Sequence, residues 1–564
     1  MSKRIQMSRQ WAHLSLLAAL SVCASTGSLM SQELLGLDET RLSEVEDLSE
    51  SLANALLDFS VAIRRGDLKT IRTFLGDEVE ALTFPETPFR ADQVLKWIQQ
   101  SSLDLSNSPA VLTRREQFIE EWAAFLNGFS EIEDVRFKVE DASFSKEASG
   151  NFADSRIQFF LVGRDRAGNR SWIKGTGQLQ ARQKEAGWEI SLLVFDRIDT
   201  LKTELDLFSE VSLPAGVSIS LPPYGSPGSD DFVYHGAAVG DINRDGFLDM
   251  VITGVSNNFI YLNQGDGTFK DVAWEVGLPA TPHDATTPLL VDYDNDGDLD
   301  VFLSAVGTQM LFKNELIETA KLSFMDVSLE TGVALPAIGF GATAGDVNGD
   351  GWPDLYVASY NRYGRVMPNS WHQATNGTAN LLFINQKDGT FKESAKAWGV
   401  ADGRWSYAAQ FVDLNQDGRQ DLYVVNDFGE NALYLNLGNR FEDRARASGT
   451  LDPGNGMGVS FGDYNNDGQL DLYVTNMSST AGNRILGRLF PESGSDNNVL
   501  RKLAAGNSLF QGKADGSFTD VTQQVGPFEA GWAWGGVFID FDNDGWEDLY
   551  SPNGFISGKS MKDT

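Results

Sequence analysis

This 564-residue chain is predicted to be mainly β: a β-propeller of four-stranded blades, preceded by a small α+β domain. Three observations predict it. An acidic nonapeptide occurs six times, as DINRDGFLD from Asp241, DYDNDGDLD from Asp292, DVNGDGWPD from Asp346, DLNQDGRQD from Asp413, DYNNDGQLD from Asp463 and DFDNDGWED from Asp540. Each copy sits between short runs rich in β-branched and aromatic residues, the composition of strands. The copies recur at roughly 50 residues, a period typical of propeller blades.

The nonapeptide comes first because its chemistry is the most specific. Oxygen side chains stand at positions 1, 3, 5 and 9, and glycine is fixed at position 6. A hard cation such as Ca2+ takes six to eight oxygens, and a glycine turn lets a short loop wrap one ion. Position 7 would add a backbone carbonyl. The candidate ligands are Asp241, Asn243, Asp245 and Asp249; Asp292, Asp294, Asp296 and Asp300; Asp346, Asn348, Asp350 and Asp354. The later loops supply Asp413, Asn415, Asp417 and Asp421; Asp463, Asn465, Asp467 and Asp471; Asp540, Asp542, Asp544 and Asp548. The expectation is about six Ca2+ sites. An EF-hand is excluded, because it needs a glutamate at position 12 between helices. Here that position is Ile252, Leu303, Val357, Val424, Val474 or Ser551, within strand-like sequence.

Each loop therefore joins a first strand (GAAVGD, PLLVD, GATAGD, AAQFVD, GVSFGD, GVFID) to a second (LDMVIT, LDVFLS, PDLYVAS, QDLYVVN, LDLYVTN). Third and fourth strands follow, as in NLLFINQ and TFKESAKAWG. With these features the chain resembles the FG-GAP/VCBS repeat family over residues 207–564, and within it the CRTAC1-like group that ends in an ASPIC/UnbV segment. That resemblance implies a seven-bladed ring if complete, with six motifs visible and a chain truncated at its C-terminus. Residues 207–217, LFSEVSLPAGV, read as a lone fourth strand that completes the last blade.

Residues 1–24 read as a signal peptide, with a basic start and an apolar core too short to span a membrane. Cys23, the only cysteine, leaves with it or becomes a lipid anchor through a degenerate lipobox; thiol chemistry in the mature chain is excluded. Residues 25–47 read as a linker. Over 48–206, helical spacing in SLANALLDFSVAIRRGDLKTIRTFL and RREQFIEEWAAFLNGF precedes four alternating strands, an α+β layout that resembles the NTF2-like fold.

A net charge of −34 excludes nucleic acid and anionic membranes as partners, and six calcium ions would offset about 12 of those charges. Only four histidines occur, with no HExxH and no phosphate loop, so no catalytic constellation is identified and an enzyme is not expected. In a meander, loops joining strands 1–2 lie on one face and those joining strands 2–3 on the other. Both long insertions join strands 2 and 3. They and the blade links bring Arg362, Tyr363, Trp371, His372, Arg404, Trp405, Arg484 and Arg488, residue types that binding surfaces favour. The function expected is an exported (secreted, periplasmic or cell-surface) binding, adhesion or scaffolding module for an extracellular protein or glycan. The alternative is a polysaccharide lyase or hydrolase, whose only hint is Tyr363–His372.

Overall fold

The computed structural model describes residues 39–81, 93–95, 97–147, 150–185, 187–206, 208–218, 236–254, 257–278, 280–362, 365–479, 483, 498–526 and 530–553. The signal-peptide and Cys23 expectations, and His235, Tyr363, Arg484 and Arg488, lie outside them. The chain divides into two compact units, one built on the N-terminal residues through Ser209 and the other on Glu210–Ser479 and Ser493–Phe555.

In the first unit, α1 (Glu39–Arg64) and α2 (Leu68–Thr73) are separated by the Gly66–Asp67 turn, where Gly66 has φ 63° and Asp67 caps Thr70. α1 begins at Glu39, inside the stretch expected to be a linker, because Leu48 extends the apolar stripe of Leu52, Leu56, Phe59 and Ile63. After α3 (Arg115–Leu126) come four long strands, Phe129–Glu147, Gly150–Asp165, Arg170–Lys184 and Gly187–Thr203, as the alternation implies. Four shorter strands between Leu75 and Arg114 complete an eight-stranded sheet. Three register shifts along Phe129–Glu147 add local bend and twist to the sheet. Its core is aromatic: Phe137 and Phe159 lie 4.9 Å apart between centroids, with Phe59, Trp122 and Phe195 around them. A Cβ on Gly175 would meet the Phe195 ring at 3.0 Å, so glycine is what lets the strand pass that ring.

Among the described residues the second unit holds five four-stranded antiparallel blades and the first two strands of a sixth. Their first strands are Ala237–Gly240, Asp284–Val291, Pro336–Gly345, Ser406–Val412, Gly456–Gly462 and Val537–Ile539. The acidic nonapeptide links first and second strands in every copy. Second strands of the third to fifth blades, such as Asp354–Ser359 and Asp421–Asn426, are buried at every residue, since both faces pack against neighbouring blades. The core accordingly lies between blades: Phe302 and Leu311 of the second pack with Val357 and Phe383 of the third. Those two blades also share one eight-stranded sheet through Val306–Ile338 and Thr308–Pro336.

Each complete blade ends in a Phe-x-acid strand, a four-residue helix and a left-handed glycine. The acid accepts a hydrogen bond from the helix, as Asp271 does from Ala273 and Glu393 from Ala395. A Cβ on Gly277, Gly332, Gly399 or Gly449 would stand 2.7–3.2 Å from the carbonyl oxygen of Phe324, Phe391, Phe441 or Phe518 in the next blade. Residues 207–217 were expected to add an outer strand, and the described part, 208–217, does not. Phe208–Val211 form none; the segment keeps only the corner, with Glu210 accepting from Ser212 at 2.6 Å and Gly216 set 3.0 Å (Cβ) from the Phe269 carbonyl. The physical reason is the partner: no third strand of the sixth blade lies among the described residues. Phe208 is 70% exposed, whereas its counterparts Phe324, Phe391, Phe441 and Phe518 are buried.

Candidate metal centres

All six nonapeptides fold alike. The position-1 aspartate accepts from two loop N–H groups: Asp346 from Asp350 at 2.9 Å and Gly351 at 2.7 Å, Asp463 from Asp467 at 2.9 Å and Gly468 at 2.8 Å. Asp241, Asp292, Asp413 and Asp540 repeat the pattern. The position-5 aspartate accepts from the N–H of position 7, as Asp245 does from Phe247 and Asp544 from Trp546, both at 2.9 Å. Asn243, Asn348, Asn415 and Asn465 at position 3 each accept from the position-5 N–H. The backbone thus turns the carboxylates inward before any ion is considered.

Position 9 has a second task. Asp249, Asp300, Asp354 and Asp421 are fully buried, each accepting from position 2 of its own loop and from the end of the third strand. Asp471 accepts from Gly512 at 2.8 Å, and Asp548 lies in the two-stranded sixth blade. Burial, with the other loop aspartates adding to it, pushes Asp300 up to about 8, Asp354 to about 7, and Asp421 and Asp471 to about 6. Such carboxylates are short of positive charge.

The donor set fits a hard cation. Oxygens of Asp292, Asp294 and Asp300 lie within 4.8 Å of one another, as do those of Asp540, Asp542 and Asp544. In the second loop, Asp294 Oδ1 and Asp298 Oδ1 are buried without a hydrogen-bond partner. The side-chain oxygens of positions 1, 3, 5 and 9 are the ones that would hold the ion.

Two features escaped the sequence reading. Position 4 is left-handed in every loop: Arg244, Asn295, Gly349, Gln416, Asn466 and Asn543 have φ of 55–72°. Four of the six are Asn or Gly, the residues that tolerate this conformation, and that was the available signal. The second is the asparagine ending the third strand. Asn314, Asn385 and Asn436 donate to position 2 of the preceding blade's loop (Ile242, Tyr293 and Val347) at 2.8–3.1 Å, and also to their own loop. They tie one loop to the next.

On the insertion side the outcome is mixed. Trp405 is fully buried: its Nε1 donates to Asn376 at 3.0 Å and its ring meets Tyr360 edge-on at 4.8 Å, so it packs between blades and offers no ligand contact. Arg404 is also committed, pairing with Asp402 at 2.7 Å and Asp443 at 3.3 Å and donating to the Glu430 carbonyl at 2.8 Å. Trp371 and His372 are half-buried; Trp371 lies 5.3 Å from Phe428, and burial lowers the His372 pKa. Arg362 is exposed.

Residues 224–303, 346–424, 413–474 and 494–551 match the FG-GAP-like repeat model. The chain is a mainly β protein whose blades are repeats of the FG-GAP type. Within that class it is similar to Cartilage acidic protein 1. It is 24% identical over 269 residues to the Mus musculus protein, covering 36% of this chain and 42% of that one. It is 28% identical over 187 residues to the Xenopus tropicalis protein, covering 30% and 28%. The match thus spans less than half the length of these relatives. Among solved structures, an Agrocybe aegerita lectin, described as recognising non-reducing terminal N-acetylglucosamine, is 16% identical with a TM-score of 0.33, over 66% of this chain and 82% of that one. A putative dehydratase of the NTF2-like family from Streptomyces avermitilis is 14% identical with a TM-score of 0.17, over 27% and 96%.

Proposed function

We propose that this chain is an exported calcium-binding propeller that acts as a binding or scaffolding module for an extracellular protein or glycan. The observation that carries the reading is the repeated turn: six loops, each folding its position-1 and position-5 aspartates onto its own backbone N–H groups, with Asp292, Asp294 and Asp300, and Asp540, Asp542 and Asp544, drawn within 4.8 Å of one another. A cation of charge two removes the mutual repulsion of those carboxylates and crosslinks both strands of each hairpin. In this reading the ions hold the hairpins in shape and take no part in chemistry. Among the described residues no helix is long and apolar enough to cross a membrane.

The side opposite the loops, with exposed Arg362 and half-buried Trp371 and His372, is where a partner would bind. The test has two readouts. Metal analysis after gentle purification should find several calcium ions per chain, and none would overturn the metal part. Panels of extracellular proteins and of neutral and acidic glycans should give retention without product release; released product would overturn the binding-module part.

A further inference from the structure

The second loop differs from the others in what faces it. It carries Asp292, Asp294, Asp296, Asp298 and Asp300, and Glu318 from the link after the third strand reaches the same place. Six carboxylates would repel strongly in a site where Asp298 is 2% exposed. Opposite them stands Lys313, the next-to-last residue of the blade's third strand. Its ammonium lies 2.5 Å from Asp294, 3.1 Å from Asp296 and 2.5 Å from Glu318, and the side chain is 18% exposed. At the same strand position the other complete blades have Leu262, Ile384, Leu435 and Gln511. That the position looks into the loop is independently visible in the fifth blade, where Gln511 Nε2 is 3.5 Å from Asp467.

We propose that Lys313 is a resident cation of the second loop, holding Asp294, Asp296 and Glu318 so that this loop stays closed without a divalent ion. A half-buried ammonium that touches two loop carboxylates supplies part of the charge that calcium would supply in the other loops, and being tethered it is not removed by a chelator. The other basic side chains at the loops do not do this. Lys387 lies 3.4 Å from Asp350 and is 46% exposed, and Arg419 pairs with Asp417 at 45% exposed; such exposed pairs contribute little. The inference rests on the calcium reading of the remaining loops.

Hydrogen exchange of the full chain in calcium and in EDTA tests it, because the Asp296, Gly297 and Asp298 amides are bonded to loop carboxylates and report closure directly. In the native chain, EDTA should speed exchange about tenfold or more over 346–354, 413–421 and 463–471, and less than about threefold over 292–300. Lys313→Met should bring 292–300 into line with the others, Lys313→Arg should not, and Lys387→Met should leave 292–300 unchanged. If Lys313→Met does not fold, Glu318→Gln removes one arm of the contact and should give an intermediate rate. Equal opening of 292–300 and the other loops in the native chain overturns the proposal. If EDTA changes no loop, the calcium reading falls; Lys313→Met must then loosen 292–300 in both buffers, or the Lys313 proposal falls with it.

Discussion

The two units hold themselves together by different physics. The N-terminal sheet closes over Phe59, Trp122, Phe137, Phe159 and Phe195, while its ion pairs, such as Arg72–Glu116, sit at the surface. The five complete blades have second strands of four to nine residues, and each buries a carboxylate, such as Asp354 or Asp421, at its start. Apolar burial needs nothing from solution, whereas a buried acid needs a partner. One unit buries apolar rings; the other buries acids that the proposed calcium ions would complete.

The sharpest way to break that comparison is chelation. EDTA should lower the propeller transition by about 10 °C or more, since each site contributes about 2.7 kcal/mol when free calcium is a hundred times its Kd. The transition of residues 39–203 should stay put, and a common shift in calorimetry would show that the units are not independent. Trp122→Ala is the converse, removing a buried ring at a cost of about 3–5 kcal/mol, with only the N-terminal transition moving.

A smaller effect is expected from Asn436→Ala, which leaves the Val347 and Gln420 carbonyls without their donor and should cost about 1–3 kcal/mol. Denaturant melts in calcium would show it, and no loss would mean that the tie between loops is idle. pH sharpens the same point. Asp300, Asp354, Asp421 and Asp471 titrate higher in the fold than in the unfolded chain, where a carboxyl lies near 4. Their contribution to calcium-free stability is therefore full below about pH 4 and is lost as pH rises through about 6 to 8. Calcium-free melts should fall over that window, and saturating calcium should flatten the curve. Smallest of all, Arg362→Ala should stay within about 0.5 kcal/mol in stability, so any change in partner binding would report the surface alone.

Legibility followed the same division. The blades were readable because their loops carry fixed chemistry at fixed spacing, and the long N-terminal strands because they alternate. The strands between Leu75 and Arg114 were not, being short and charged; LGDEVEA shows no clean alternation, since its partners come from elsewhere in the sheet. Trp405 and Arg404 misled for one reason: a residue type favoured at binding surfaces is equally suited to a junction between blades, and only Asn376, Tyr360 and Asp402 decide between the two. The joined sheet of the second and third blades had no signature either, because it depends on where Val306 meets Ile338.

The left-handed glycines after each fourth strand carry one more consequence. Gly277, Gly332, Gly399 and Gly449, and with them Gly216 at the corner that no strand precedes, each stand against the carbonyl of the following blade's Phe-x-acid strand, a contact made of backbone and indifferent to side-chain sequence. The stretch from one such glycine to the next therefore begins and ends on the same backbone joint. A gain or loss of one such length would keep that joint, while the side-chain packing between blades, as of Phe302 against Phe383, would have to be rebuilt at the cut.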